Sequence, residues 1–377
     1  MTASNHRIHG WSGDEIARRN PPLDAADVQA LLAGFAPLRG PARILWHSPR
    51  PFSAAARVRT PAGEVFVKRQ HVRVRTPQAL AEEHAFIAHL RDGGLPVPQI
   101  LVNDHGDTAI QCGDWVYEVH APAVGIDLYR DVPSWTPLLR LDHARSAGRM
   151  LARLHRTAAG FVAPTRSASL LVARDDVLRA PDFFDAIEAR CARRPALAGY
   201  LAKRDWRGEA SALAARHRRV QPQLASLPRL WTHGDWHVSN LFWSSEGDDA
   251  AAASVLDFGL CAPTFALYDL ATAIERNAVA WLQLEQGMRA VFPETAQALI
   301  AGYAEVLPLD AAQRALLAEL LPLVHVDFAL SEMDYFLGVL GAEEQADIGW
   351  RDFLLGHAAW FDTAAGRALL DAIHATA

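Results

Sequence analysis

Three oxygen-bearing side chains in one stretch of the sequence have the types and the spacing needed for metal-assisted chemistry. Asp235 and Asn240 lie within HGDWHVSN, and Asp257 lies within VLDFG. The apolar segments 241–243 and 254–256 indicate two short buried strands, and the small and acidic residues between them suit a hairpin turn. Such a hairpin brings Asn240 and Asp257 close together at its open end.

An amide oxygen and a carboxylate at that open end are suitable ligands for Mg²⁺, which prefers hard oxygen donors and keeps several waters beside phosphate oxygens. We therefore expect Asn240 and Asp257 to be metal ligands. Asp235 is then free to orient an acceptor hydroxyl group and to take its proton. Protein kinases divide these tasks between H-R-D-x-x-x-x-N and D-F-G. The corresponding motifs here are H-G-D-x-x-x-x-N and Asp257-Phe258-Gly259.

These motifs make the sequence similar to the family of aminoglycoside phosphotransferases and choline kinases, whose fold is that of the protein kinases. Tyr268-Asp269-Leu270-Ala271 resembles the next family landmark, in which an Asp on a helix braces the catalytic loop. The resemblance runs from Arg43 to the end of the chain and is strongest over 232–275. Within the family, the sequence looks closest to bacterial stress-response-kinase-like and homoserine-kinase-like members. The resemblance implies an α+β fold with a small β-rich N-lobe and a larger, mostly helical C-lobe.

The resemblance also implies how ATP is held. The β-branched and aromatic run VFVK indicates a strand, and its Lys68 matches the family lysine that pairs with the ATP phosphates. Glu83, on a helix predicted over 79–91, matches the glutamate that holds this lysine, and Glu82 is the alternative. The loop over the phosphates is expected near Ser53, in a Ser-Ala-Ala run that contains no glycine.

The link between the two lobes is expected to bind the adenine base. By family resemblance, the backbone groups of Glu118, Val119 and His120 are the expected contacts, because these residues end the strand that enters the link. The following run, Ala-Pro-Ala-Val-Gly, breaks regular structure. We therefore place the lobe boundary after His120.

The chain then divides into three parts: an N-terminal arm (1–22), a nucleotide-binding N-lobe (23–120), and a C-lobe (121–377) with the catalytic loop, the metal site and a helical acceptor region. Inserted helices between 176 and 223 are expected to help form the acceptor site, as in related enzymes. Four polar residues further on either line an acceptor pocket or belong to an ordinary helix surface: His325, Asp327, Glu332 and Asp334.

Composition argues against several functional classes. The net charge is −6 and the pI is near 6.2, which does not suggest a general surface for nucleic acids or membranes. Three scattered cysteines are typical of a reducing cytosol, and the polar N-terminus lacks the apolar segment of a signal peptide. We therefore expect a cytoplasmic protein with neither nucleic-acid nor membrane partners.

Three hypotheses follow. The first is a phosphotransferase that uses ATP and Mg²⁺ and moves the γ-phosphoryl group to a hydroxyl group of a small molecule or of a protein Ser or Thr. The second, motivated by the glycine-free phosphate loop, is a non-catalytic nucleotide-binding regulator with the same fold. The third is an interaction protein that binds no nucleotide. A zinc site at His233 and His237 is disfavoured, because Gly234 indicates a loop rather than the helix that this spacing requires.

Overall fold

The structure of the protein is a computed structural model that describes residues 21–48, 53–130, 132, 135–138, 140–163 and 165–375. Apart from Pro21 and Pro22, the predicted N-terminal arm (1–22) lies outside these residues. The described part of the chain contains nine β-strands: β1 (Arg43–His47), β2 (Ala54–Thr60), β3 (Gly63–His71), β4 (Ile110–Cys112), β5 (Trp115–His120), β6 (Leu230–Thr232), β7 (Leu241–Trp243), β8 (Ala252–Val255) and β9 (Ala262–Thr264).

The same residues form fifteen α-helices: α1 (Ala25–Leu32), α2 (Pro77–Asp92), α3 (Leu141–Ala158), α4 (Asp176–Arg179), α5 (Phe183–Cys191), α6 (Pro195–Leu201), α7 (Trp206–Glu209), α8 (Ser211–Leu224), α9 (Ala266–Ala278), α10 (Pro293–Ala304), α11 (Ala311–Leu320), α12 (Val326–Tyr335), α13 (Glu343–Ile348), α14 (His357–Trp360) and α15 (Ala364–His374). None of these helices is both long and apolar enough to cross a membrane.

A five-stranded antiparallel sheet forms the β-rich lobe, with the strand order β1-β2-β3-β5-β4. Strands β3 and β5 are neighbours, and their register pairs Lys68 with Glu118. Helix α1 starts after Asp24, whose side chain accepts a hydrogen bond from a backbone N–H of the first turn. The helix buries Val28 and Leu32 in the same apolar cluster as the sheet, so it belongs to this lobe.

Helix α2 connects the sheet to the helical lobe. Thr76 caps the helix by accepting a backbone hydrogen bond, and Pro77 occupies the first position, where a missing N–H costs nothing. Phe86 and Leu90 pack into the large apolar core of the helical lobe. The helix therefore carries Glu83 to the contact between the two lobes.

Close packing of α3 against α10 organises the helical lobe. An added Cβ on Gly148 would lie 1.9 Å from the carbonyl oxygen of Leu299, and one on Gly302 would lie 1.9 Å from that of Arg145. Only glycine therefore allows the two backbones to approach this closely. Helix α9 packs beside both, and the predicted α+β architecture with one β-rich and one mainly helical lobe is confirmed.

The apolar run Ile100-Leu101-Val102 has the composition of a strand but does not form one. Only Ile100 forms an isolated bridge, to His120. The chain turns away soon afterwards, because the Asn103 side chain accepts hydrogen bonds from the N–H groups of His105 and Asp107. The hydrogen bonds of the Asn103 turn therefore end the extended segment, although the short apolar run has a high β propensity.

Candidate active site

The predicted hairpin is formed by β7 and β8, and its open end brings Asn240 and Asp257 together. Leu241 pairs with Val255 in the antiparallel register, and the N–H of Leu256 donates a 2.9 Å hydrogen bond to the Asn240 carbonyl. Asp257 follows with φ +53° and ψ +73°, in the left-handed region that a residue with a Cβ rarely adopts. Such strain persists where the surrounding structure imposes it, and it concentrates at functional sites.

Gly234 allows the loop that carries Asp235 to turn sharply after β6. Its φ is +76°, and an added Cβ would lie 2.6 Å from the Cβ of Ala173 and 2.9 Å from the carbonyl oxygen of Leu260. A side chain at this position would therefore both strain the backbone and collide with two neighbours. The requirement for glycine explains the middle residue of H-G-D.

Asp269 of α9 braces this loop. Its two carboxylate oxygens each accept a 2.8 Å hydrogen bond, from the backbone N–H groups of His233 and Gly234. His155 Nε2 lies 3.0 Å from Oδ2, and His155 Nδ1 lies 2.8 Å from the Tyr303 hydroxyl. Burial alone would raise the pKa of Asp269, but the hydrogen bonds from His155 and the loop outweigh burial and lower the pKa. The brace expected from the family resemblance is present.

His233 ties the catalytic loop to the D-F-G segment. Its Nε2 lies 2.9 Å from the carbonyl oxygen of Leu256, the residue before Asp257. Its ring also packs edge-on against the ring of Phe258, with centroids 4.8 Å apart. His233 is therefore occupied by structural contacts and does not form a zinc pair with His237.

Three side chains contact the carboxylate of Asp235. Asn240 Nδ2 donates to Oδ2 at 3.1 Å, His237 Nε2 lies 3.4 Å from the same oxygen, and Arg276 Nη1 lies 3.1 Å from Oδ1. Burial alone would raise the pKa of Asp235, but His237 and Arg276 outweigh burial and hold the pKa well below its usual range. The carboxylate is therefore ionised at neutral pH, as a proton acceptor must be.

A cavity of about 530 Å³ lies between the sheet and the hairpin. Lys68, Asn240 and Asp257 line it, together with Ser53 and His120. The volume is within the range of sites that bind small molecules and cofactors. The cavity thus brings together five of the predicted site residues, three of which offer charged or metal-binding atoms.

Lys68 lies between two carboxylates in this cavity. Its Nζ donates a 2.8 Å hydrogen bond to Asp257 Oδ1 and is 4.0 Å from Glu118 Oε1. Burial alone would lower the pKa of Lys68, but the attraction of Asp257, Glu118 and Glu83 outweighs burial and raises the pKa. Lys68 is therefore a fixed positive charge at the wall of the cavity.

Glu83 does not form the predicted ion pair with Lys68. Its Oε2 instead accepts a 2.5 Å hydrogen bond from Arg166 Nη2. Both side chains are almost fully buried, so each supplies the charge that the other needs. The alternative, Glu82, accepts a hydrogen bond from the backbone N–H of Ser167 on the protein surface. The sequence could not reveal this competition, because Arg166 lies more than eighty residues away along the chain.

Ser53 lines the cavity directly before β2. Ala54 and Ala55, predicted in the same loop, are the first residues of that strand and pair with Arg69 and Lys68 of β3. The connection from β1 to β2 therefore ends at Ser53. Part of the connection, 49–52, falls outside the described residues.

The wall of the cavity at the link between the lobes differs from the prediction. Of the three residues expected to contact adenine, His120 lines the cavity, whereas Glu118 and Val119 do not. The Val119 carbonyl accepts a 2.8 Å hydrogen bond from the N–H of Leu101, and the Glu118 side chain is buried. The lining continues through 121–123 instead, so the accessible backbone lies just beyond the predicted residues.

The oxygen donors at the open end of the hairpin fit a hard divalent cation. Asn240 Nδ2 donates one hydrogen bond to the Asp235 carbonyl at 2.9 Å and a second to its Oδ2 at 3.1 Å. The Asn240 atom left to bind a cation is therefore the amide oxygen. The Asp257 side chain is 40% exposed, so its carboxylate is accessible from the cavity. One amide oxygen and one carboxylate match the sparse protein ligation of Mg²⁺.

Arg276 is the main site residue that sequence reasoning missed. It lies on α9 seven residues after Asp269, and this spacing places two side chains on the same side of a helix. Asp269 braces the loop that carries Asp235. A charged residue on the same face of α9 could therefore have been predicted to contact this loop as well. Arg276 is also held over the ring of Trp135, with its guanidinium carbon 4.0 Å from the ring centroid.

The acidic residues of α12 connect this helix to the inserted helices. Asp327 accepts hydrogen bonds from the N–H of Val177 at 3.2 Å through both oxygens. Asp334 forms a 2.7 Å ion pair with Arg190. Both carboxylates are almost completely buried, so they tie helices together and do not form an open acceptor surface.

The comparisons with known proteins agree with this geometry. The sequence matches the model of the phosphotransferase enzyme family (APH) over residues 49–320, which is more than half of the chain. No curated protein matches the sequence significantly.

Solved structures share the fold over nearly the whole chain at low sequence identity. A microcompartment-associated aminopropanol kinase is 16% identical with a TM-score of 0.61, covering 91% of this chain and 99% of its own. The amicoumacin kinase hAmiN is 16% identical with a TM-score of 0.58, covering 90% and 93%. A spectinomycin phosphotransferase is 12% identical with a TM-score of 0.55, covering 94% and 99%. Together with the H-G-D loop, the hairpin and the brace, the family match shows that this chain belongs to the phosphotransferase enzyme family.

Proposed function

We propose that the protein transfers the γ-phosphoryl group of ATP to a hydroxyl group of a small molecule, with Mg²⁺ as cofactor. One observation carries the proposal: Lys68, Asn240 and Asp257 line a single cavity, and Asp235 is hydrogen-bonded to Asn240. A cation, two hard metal ligands and an ionised base are the parts that phosphoryl transfer requires.

The ligands of the similar structures support both ATP and a small-molecule acceptor as substrates. Amicoumacin kinase was solved with AMP-PNP, Ca²⁺ and Ami, and spectinomycin phosphotransferase with ADP and spectinomycin. The other kinase named above is an aminopropanol kinase. A small molecule that carries both hydroxyl and amino groups is therefore the acceptor class to test first.

Lys68 binds the phosphates in the proposed mechanism. Its ammonium group is fixed at the cavity wall, and it exchanges its contact with Asp257 for phosphate oxygens. Asn240 and Asp257 would hold Mg²⁺, which when bound would neutralise charge on the phosphates. Asn240 also donates a hydrogen bond to Asp235. This contact would fix the distance between the metal site and the base.

Asp235 orients the acceptor hydroxyl group and receives its proton as the new O–P bond forms. Phosphoryl transfer passes through a loose transition state, so positioning and charge neutralisation supply most of the rate acceleration. The low pKa of Asp235 suits an orienting role, since the carboxylate stays ionised until the hydroxyl group becomes strongly acidic in the transition state.

The adenine base is proposed to lie against the link between the lobes. The backbone of 121–123 and the side chain of His120 line the cavity there. We also propose to keep the lobe boundary after His120, with the N-lobe at 23–120 and the C-lobe at 121–377. The cavity then lies between nucleotide-binding and catalytic lobes, where ligand sites commonly form.

Calorimetric titration of Mg·ATP into the wild type and into Asp257→Ala tests the proposal. We expect saturable binding to the wild type and a loss of at least about tenfold in affinity in the variant. Asp371→Ala, on an exposed part of α15, is the matched control and should bind as the wild type does.

A screen of amino alcohols and aminocyclitols with radiolabelled ATP then identifies the acceptor. Asp235→Ala should abolish transfer to the acceptor and leave Mg·ATP affinity largely intact. Absence of nucleotide binding to the wild type would contradict the proposal. Binding without transfer to any acceptor would favour a non-catalytic nucleotide-binding protein.

A further inference from the structure

A buried cluster of charged and imidazole groups lies behind Lys68. Glu118 Oε2 is 2.8 Å from His84 Nε2 and 2.9 Å from His120 Nε2. Its other oxygen, Oε1, is 4.0 Å from Lys68 Nζ and has no hydrogen-bond partner among the described residues. The Glu118 side chain is only 1% exposed. The two histidines therefore hold its Oε2 atom, and its Oε1 atom faces Lys68.

We propose that Glu118, and not Glu83, is the residue that positions Lys68 for phosphate binding, and that His84 and His120 hold Glu118 in place. The inference deepens the proposed function and rests on it, because it concerns how the phosphate-binding lysine is held. Glu118 is a positioning residue in this scheme, since it acts through Lys68.

The sheet register fixes the relation between Glu118 and Lys68. The two residues are direct partners across β3 and β5, so their side chains project from the same face of the sheet. The backbone of both residues is therefore fixed by the sheet and not by a helix or loop. Side chains on paired strands are held more precisely than side chains on loops.

Glu83 is already committed to another cation. Arg166 donates to it at 2.5 Å and also contacts the backbone carbonyl groups of Gly259 at 3.2 Å and Cys261 at 2.5 Å. Glu83 therefore links helix α2 to the segment that follows D-F-G. Moving Glu83 to Lys68 would leave the buried Arg166 without its carboxylate, which is strongly unfavourable for a buried charge.

Asp257, the nearest carboxylate to Lys68, is also the expected metal ligand. Once Asp257 binds a cation, its negative charge is shared, and its hold on Lys68 weakens. Glu118 is then the carboxylate that stays with Lys68 throughout the reaction, because its second oxygen is fixed by two histidines. This division of roles explains why Lys68 faces two carboxylates.

The three ligand-type side chains of the cluster also invite comparison with a metal site, since their nearest atoms lie within 4.8 Å of one another. Two observations favour the clamp instead. Lys68 Nζ lies 4.0 Å from Glu118, and its positive charge would repel a cation. His84 Nδ1 is buried without a hydrogen-bond partner among the described residues, whereas a metal-bound histidine almost always donates from its second nitrogen.

Isosteric variants separate the two glutamates. Glu118→Gln and Glu83→Gln each remove one charge and keep the shape of the side chain, and the KM for Mg·ATP is measured for both. We expect Glu118→Gln to raise KM by about tenfold or more with a smaller change in kcat. Glu83→Gln should lower the melting temperature and change KM by less.

A second measurement requires no nucleotide. Each substitution is combined with Lys68→Met, and melting temperatures of the nucleotide-free proteins complete two double-mutant cycles. We expect the Lys68–Glu118 cycle to be non-additive by about 2 °C or more and the Lys68–Glu83 cycle to show weaker coupling. A purely structural role of Glu118 would lower the melting temperature without coupling to Lys68.

These outcomes distinguish the inference from the proposed function. If the wild type binds no Mg·ATP, the proposed function fails, and the stability cycle still decides whether Glu118 holds Lys68. A larger KM effect and stronger coupling for Glu83 would overturn the inference while leaving the phosphotransferase proposal intact. Stoichiometric zinc in the purified protein would also overturn it.

Glu118→Asp covers the case in which Glu118→Gln does not fold. This variant keeps the negative charge but draws the carboxylate back from Lys68 by one methylene group. We expect a rise in KM of about threefold, because an ion pair weakens as its distance grows. A wild-type KM in a folded Glu118→Asp protein would contradict the inference.

Discussion

Arg276 lies directly against Asp235, with its Nη1 atom 3.1 Å from Oδ1, and the two side chains are only 10% and 15% exposed. The Arg276 guanidinium also lies over the ring of Trp135 and 3.5 Å from the carboxylate of Glu275. These contacts hold the cation beside the expected base whether or not an acceptor is bound. The pair therefore affects both the stability of the fold and the position of the base.

A double-mutant cycle measures this pair. Arg276→Met removes the cation and leaves Asp235 as a nearly buried charge, and such a loss typically costs about 3–5 kcal/mol. In an Asp235→Asn background the same substitution should cost less by about 1–3 kcal/mol, because residue 235 no longer carries the buried charge that Arg276 offsets. Chemical denaturation of the four proteins gives the coupling energy. Equal costs in the two backgrounds would show that Arg276 contributes packing alone.

Substitution of the loop brace should reduce turnover more than nucleotide affinity. Asp269→Asn replaces one of two oxygens that accept backbone hydrogen bonds from His233 and Gly234, so the loop that carries Asp235 loses its fixed position. We expect kcat to fall by about 100-fold, as small displacements of catalytic groups commonly cause. Mg·ATP affinity should change by less than about threefold. Asp371→Asn provides the same chemical change on an exposed helix surface.

The change in kcat for Asp269→Asn must be compared with the change in its affinity for Mg·ATP. Equal losses in kcat and in Mg·ATP affinity would mean that the brace supports the whole cavity. A wild-type kcat in a folded variant would mean that the catalytic loop keeps its position without Asp269.

Gly234→Ala should abolish activity and destabilise the fold, whereas Gly106→Ala should only destabilise it slightly. Both glycines have positive φ, +76° and +89°, so both substitutions incur the left-handed penalty of about 1–2 kcal/mol. Only the Cβ at 234 meets other atoms, 2.6 Å from Ala173 and 2.9 Å from Leu260; at 106 nothing lies within 4 Å. Melting temperatures of the two variants isolate the steric contribution. Equal shifts would show that the loop relaxes around the added methyl group.

The parts of the site that a sequence reveals are those set by local rules. The segment from Asp235 to Asp257 is one loop and one hairpin, so turn residues and apolar strands predict how Asn240 approaches Asp257. Helix α2 was predicted for the same reason, since its Thr-Pro start and Gly-Gly end are local signals.

Long-range pairing could not be predicted in this way. Lys68 has carboxylates on a neighbouring strand, on a helix and within D-F-G, and the choice among Glu118, Glu83 and Asp257 depends on which other cations compete. Arg166 decides the outcome for Glu83 from a segment without motif or periodicity. A family resemblance supplies the expected partner but does not show that a buried arginine has taken its place.

Asp327 predicts a pH dependence of stability that can be tested without any substrate. Burial raises the pKa of this carboxyl to about 7, and repulsion from Asp176 adds to the rise while Arg190 opposes it. In the unfolded chain an Asp titrates near 4. Between about pH 4 and pH 7 the folded protein therefore holds a proton that the unfolded chain has lost, so the contribution of Asp327 to stability falls as the pH rises through this window.

Asp327→Asn removes this dependence and keeps an oxygen to accept the hydrogen bond from Val177. We expect the variant to gain stability relative to the wild type as the pH rises from 5 to 8, by up to a few kcal/mol. Urea denaturation at four pH values measures the difference, with Asp371→Asn as the exposed control. The expected slope arises because only the wild type must ionise a carboxyl inside the helical core. A difference between variant and wild type that stays constant with pH would mean that Asp327 is ionised in the folded protein throughout this range.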